Sequence, residues 1–115
     1  MKYKYTLGSS VSVQTDILGM DVQHPFFILS KDGVLTIKEK YSWDGMSFYP
    51  DDKTTYLASL YHDCLYQIIR IKLLGYKYKS NADRLMYRTL LRDGHPKKMS
   101  LVAYIGVVIF GRFFL

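Results

Sequence analysis

Residues 54–75 read TTYLASLYHDCLYQIIRIKLLG. Leu57, Tyr61, Cys64, Ile68 and Ile71 recur in steps of three and four, which places them on one side of a helix. The spacing predicts a helix from about Thr54. Gly75 is its expected end, since glycine enters the left-handed conformation without steric penalty. Asp51 and Asp52 precede it, where the positive N-terminal end of a helix favours carboxylates.

Upstream of this segment the pattern is that of strands. In KYKYTLGSSVSVQT (residues 2–15) polar and apolar residues roughly alternate. PFFILS and VLTIKEKYSW flank Lys31-Asp32-Gly33, and an Asp-Gly pair supplies the positive φ of a tight hairpin. Downstream, SNAD (residues 80–83) has the spacing of a capping box, with Ser80 as N-cap and Asp83 reaching back. Leu85, Met86, Thr89 and Leu90 form the inward face of this second helix. DGHPKK then stops it, because Gly94 and Pro96 both interrupt helices. A third helix is expected from about Pro96 to near the end. The fold class is α+β, a small antiparallel β-sheet followed by about three packed helices. One domain is expected over residues 1–115, β-rich to about residue 50 and helical from about 54.

Composition narrows the functional classes. With 115 residues and 49% hydrophobic residues the chain can bury a core. The one cysteine, Cys64, rules out an intrachain disulfide and is expected as packing. A net charge of +6 favours anionic partners: nucleic acid, a phospholipid surface or an acidic protein. No nucleic-acid-binding motif is present, so sequence-specific readout is not expected. Arg84, Arg88 and Arg92 form one basic edge, with Lys72, Lys77, Lys79, Lys97 and Lys98 adding charge nearby. Such an edge is a solvated face or an anion-binding surface for lipid headgroups, nucleic acid or a protein partner. His24 and His95 precede prolines and lack metal-ligand spacing. MKYKYTLGSS at the start lacks the apolar run of a signal peptide. LVAYIGVVIFGRFFL (residues 101–115) is apolar apart from Arg112. It is shorter than the roughly 20 residues of a membrane-spanning helix and is read as a helix buried against that of His62, with a membrane-seeking tail as the alternative.

His62 and Asp63 stand inside the apolar run, where an ionisable group needs a partner. On the helical wheel His62 shares its side with Ala58, Leu65, Tyr66 and Ile69. Asp63 falls about 100° away, beside Ser59, Gln67 and Arg70. They are therefore not expected to be a simple contact pair, and Tyr66 lies one turn from both. Asp83, on the next and antiparallel helix, is the candidate partner of His62. A carboxylate on one imidazole nitrogen fixes the tautomer and leaves the other nitrogen available as a base. Two readings stay open: a water-activating dyad, or a satisfied core histidine beside an aspartate that caps its own helix.

HDCLY (residues 62–66), followed by Ala82-Asp83, resembles the His-Asp-x-x-Tyr signature and antiparallel Ala-Asp of the secreted phospholipases A2. The resemblance implies ester hydrolysis with His62 as general base, Asp83 orienting it and Tyr66 bonded to Asp83. It also implies calcium held by Asp63 with loop carbonyls from Trp43 to Gly45. This chain departs from that family in having one glycine in the loop and no disulfide. A second resemblance runs over about residues 26–112. DGMS (44–47), HDCLY, ADRLMY (82–87) and YIGVVIFG (104–111) are similar, in order, to segments of small phage and prophage proteins of an uncharacterised family. It implies a phage origin, residence in the host cytoplasm or the phage particle, and an apolar C-terminus that belongs to the domain. The partners implied are an anionic lipid surface or other phage or host proteins. The rival to catalysis is a non-catalytic virion or host-interaction protein in which His62, Asp63, Tyr66 and Asp83 form a structural network.

Overall fold

The computed structural model describes residues 3–46 and 51–115. The chain forms two compact units, Met1–Asp44 and Gly45–Leu115.

The first unit is built of antiparallel strands: β1 (Tyr5–Thr6), β2 (Val11–Gln14), β3 (Val22–Gln23), β4 (Phe27–Leu29), β5 (Val34–Ile37) and β6 (Ser42–Trp43). The expected small sheet is present as a four-stranded sheet, order β2-β5-β4-β3, beside a two-stranded ribbon of β1 and β6. Side chains alternate between faces along a strand, so register decides what is buried. Phe27 lies opposite Ile37 and Leu29 opposite Leu35, and all four are fully buried. On the other face Ser12 and Thr36 share a hydrogen bond of 2.9 Å. The hairpin between β4 and β5 turns where the Asp-Gly pair predicts, with Gly33 at φ +85° and its N–H donating to the Ser30 carbonyl at 2.9 Å. The Thr15 hydroxyl donates to the Gly33 carbonyl at 2.7 Å. A Cβ at Gly33 would stand 2.8 Å from the Thr15 carbonyl oxygen.

The second unit holds α1 (Tyr56–Arg70), α2 (Lys79–Arg92) and α3 (Lys97–Phe110), with short 3-10 turns at Tyr76–Tyr78 and Gly111–Phe114. α2 packs on both α1 and α3. Ala58 of α1, Met86 and Leu90 of α2 and Ala103 of α3 form a shared buried cluster. Several local signals resolve differently from expectation. α1 ends at Arg70, and Lys72 rather than Gly75 takes the left-handed turn, at φ +69°. There the Lys72 and Leu73 N–H groups donate to the Ile69 and Ile68 carbonyls at 3.0 and 3.1 Å, the paired closure of a Schellman motif. Gly94, by contrast, does close α2 as predicted, at φ +86°. Ser80 is not an N-cap: α2 begins one residue earlier and has no side-chain cap bond. Asp51 and Asp52 do not cap α1 directly. They shape the turn before it, Asp51 accepting from the Thr55 hydroxyl at 2.7 Å and Asp52 from the Thr54 N–H at 2.7 Å.

The apolar tail forms the expected helix but is not buried. Its fully buried residues are small, Ser100 and Ala103, and Val107 packs partly buried on the shared cluster, while Leu101, Val102, Ile105, Val108, Ile109 and Phe110 are exposed. It packs chiefly on α2, not on α1, because small side chains let two helices approach closely only on the face that carries them. Among the described residues no helix is long and apolar enough to cross a membrane.

Gly33→Ala tests the hairpin. An alanine there meets both a left-handed backbone and the Thr15 carbonyl, so a loss of about 1–3 kcal/mol in denaturant unfolding is expected. Gly8→Ala, with nothing within 4 Å of its added Cβ, should change stability far less.

Candidate functional site

His62 and Tyr66 sit one turn apart on α1, their rings 4.0 Å between centroids. Asp83 faces them from α2. Its Oδ1 is 2.8 Å from His62 Nε2 and accepts from the Tyr66 hydroxyl at 2.6 Å. Its Oδ2 accepts from Lys79 Nζ, one turn earlier on α2, at 2.7 Å. Lys79 Nζ also donates to the Val107 carbonyl at 2.9 Å and reaches that of Val108 at 3.4 Å. These carbonyls lie in the last turn of α3, where the dipole favours a cation, and that of Val107 also accepts from the Gly111 N–H. All four side chains are buried, with Asp83 only 1% exposed. No described buried side-chain nitrogen or oxygen lacks a partner.

The electrostatics follow from this packing. Burial pushes the Asp83 carboxyl upward, but hydrogen bonds from His62, Lys79 and Tyr66 outweigh it and hold the group below its usual range. Asp83 is therefore an ionised acceptor at neutral pH. Tyr66 is pushed well above its ordinary value, by burial first and then by its bond to Asp83, so it remains a donor. With an ionised acceptor at Nε2, that nitrogen carries the hydrogen and Nδ1 of the neutral ring keeps its lone pair. Nδ1 lies 4.0 Å from an oxygen of the half-buried Asp63. The 100° separation on the wheel thus leaves the neighbours close but beyond hydrogen-bond length.

The geometry brings His62, Asp83 and Tyr66 together as the sequence predicts. Two further participants were not foreseen. Lys79, read as part of the basic surface, is a buried counter-ion; its i, i+4 spacing to Asp83 was the available signal. Gly111 is the other. A Cβ there would run into the Tyr66 hydroxyl and lie 3.2 Å from Lys79 Nζ, so the chain crosses the network where only glycine fits. His95, expected to be an unremarkable loop residue, is buried and shares a 2.7 Å hydrogen bond with the Thr54 hydroxyl.

Of the residues assigned to calcium by resemblance, Trp43 belongs to the first unit and Gly45 and Asp63 to the second. Trp43 is a buried member of β6, its ring 5.2 Å from that of Tyr5. Gly45 has the positive φ, +79°, that a carbonyl-converging loop uses. Asp63 is one carboxylate, whereas calcium takes about six to eight oxygens. No group of three or more His, Cys, Asp or Glu suited to a metal occurs among the described residues. Ser47 of the Asp-Gly-x-Ser segment and residues 48–50 of the loop lie outside the described residues. Comparison with family models, with curated proteins and with solved structures returns no match.

Two outcomes test the network. Gly111→Ala should destabilise by about 1–3 kcal/mol through overpacking against Tyr66 and Lys79, read as a lower unfolding midpoint. The second concerns acid. A carboxyl whose pKa is depressed on folding adds stability above its unfolded value of about 3.9 and loses it as pH falls through the lower folded value. Wild-type stability should therefore fall below about pH 4, and more steeply than that of Asp83→Asn, measured by urea unfolding across pH 2–6.

Proposed function

We propose that this chain is a phage-encoded protein whose helical unit hydrolyses an ester through His62 and Asp83. The carrying observation is the dyad itself: Nε2 is committed to Asp83 at 2.8 Å, which leaves Nδ1 as the basic nitrogen. In this reading Nδ1 takes a proton from water as the water oxygen attacks the ester carbonyl. The tetrahedral intermediate collapses with loss of the alkoxide, which takes that proton back from the imidazolium and leaves as alcohol. Asp83 stabilises the imidazolium through Nε2–H, and Tyr66 and Lys79 fix the carboxylate in place. The resemblance to phospholipases A2 assigns Asp63, Trp43 and Gly45 to calcium, an ion that polarises a carbonyl when bound. The hydrolysis proposed here draws only on His62 and Asp83.

A second reading rests on Lys79. Through Asp83 and the α3 carbonyls it links all three helices, which is what a structural clasp requires. The protein would then be a non-catalytic virion or host-interaction component. On either reading its place is the host cytoplasm or the phage particle, and its partner an anionic lipid surface or a phage or host protein.

His62→Asn separates the two. It keeps a polar side chain but removes the base, while Asp83 retains Tyr66 and Lys79. Hydrolysis of phospholipid and water-soluble esters, assayed with and without calcium, should fall by about 10²- to 10⁴-fold with little change in Tm. A folded wild-type chain without hydrolysis under either condition, together with a His62→Asn Tm lowered by several degrees, supports the clasp and overturns the enzyme.

A further inference from the structure

The charge of this chain is unevenly placed. Residues 1–44 hold five basic and five acidic residues, whereas residues 45–115 hold 11 basic and five acidic, so the whole net +6 belongs to the helical unit. No acidic residue occurs after Asp93. α3 lies in this acid-free stretch, with Lys97 and Lys98 at its start and Arg112 just past its end.

α3 is also apolar on both faces. A helix of that kind is ordinarily buried or in lipid, yet most of its large side chains, Val107 and Tyr104 excepted, are exposed. Val102, Ile105 and Ile109 fall on one side, spaced three and four apart, and are 62%, 47% and 54% exposed. Phe110 and Phe113 continue the apolar surface, 59% and 70% exposed, with the Arg112 guanidinium 5.1 Å from the Phe113 ring centroid. Lys98 lies on the same side as Ile105 and Ile109. Fourteen helical residues extend about 21 Å, too short for a hydrocarbon core of about 30 Å. They are long enough to lie in the headgroup region, where lysine and arginine stems reach along apolar surface to phosphates. The rest of the helical unit supplies the polar side that such a helix needs.

We propose that the outward face of α3 docks on an anionic lipid bilayer. Ile105, Ile109, Phe110 and Phe113 enter the interface, and Lys98 and Arg112 engage lipid phosphates. Charge decides the occupant. A second copy of the chain would bring lysines and arginines against the same face with no α3 carboxylate to meet them, whereas an anionic bilayer complements both the apolar strip and the cations at its ends. The inference rests on α3 and the charge distribution, and it stands whether or not His62 is catalytic.

The test is flotation of the purified full chain with phosphatidylcholine vesicles and with vesicles containing 30% phosphatidylglycerol. Binding to the anionic vesicles should be at least about tenfold tighter and should weaken as salt rises. Ile105→Ser with Ile109→Ser should cut it by about tenfold or more while far-UV circular dichroism is unchanged. Lys98→Gln with Arg112→Gln should leave residual binding that no longer distinguishes the two vesicle types. Absence of binding to both vesicle types overturns the proposal, as does equal binding of the wild type to both. A wild-type dimer in sedimentation that the Ile105→Ser, Ile109→Ser chain loses also overturns it, since the face would then be covered by a second copy.

Discussion

The helical unit depends on one buried negative charge. A lone carboxylate removed from water is so costly that it would ordinarily take up a proton. Asp83 stays ionised because three donors converge on it, two on Oδ1 and one on Oδ2. One donor, Lys79, brings the opposite charge and spends its remaining bonding capacity on the end of α3. The same carboxylate therefore joins α1 to α2 by way of His62 and Tyr66, and joins α2 to α3 by way of Lys79. Such a pair need not add much net stability relative to an apolar core, but losing either partner leaves the other stranded. That asymmetry requires the three helices to be placed together or not at all.

The network also explains the approach of the chain's last turn. Gly111 passes so near the Tyr66 hydroxyl and Lys79 that a methyl group has no space. On α3 itself the fully buried positions are Ser100 and Ala103, and most of the bulk is turned outward. The packing face of this helix is set by its small residues, by Val107 and Tyr104, and by end carbonyls that accept from Lys79. An apolar surface is left over as a consequence, and it lies on the unit that carries all of the net positive charge.

Much of this was legible in the sequence where a single physical rule dominates. Period-two alternation and Asp32-Gly33 located the β4–β5 hairpin. Helical spacing from Thr54 located α1, and antiparallel connection of adjacent helices made Asp83 the partner of His62. The reading failed where two rules compete. Asp83 at the third position after Ser80 satisfies a capping box and also a tertiary ion pair, and burial decided for the pair. Lys79 looked like one more surface cation because its partner is set by the fold. Gly75 looked like a helix end, but closure came earlier, at Lys72, where a lysine accepts the left-handed conformation. The 101–115 segment reads as buried because it is apolar yet too short to span a membrane, and neither property says which face carries the small residues.

A double-mutant cycle on Lys79 and Asp83 tests the central claim most directly, with Lys79→Met, Asp83→Asn and the double variant compared by equilibrium unfolding. If the carboxylate is held ionised by its lysine, each single variant strands a buried group and loses about 3–5 kcal/mol. The double variant should then lose clearly less than the sum of the two, with a coupling of at least about 2 kcal/mol. Additive losses, with coupling below about 0.5 kcal/mol, would contradict the account, because Asp83 and Lys79 would then be independent residues rather than the charge pair on which the three helices converge.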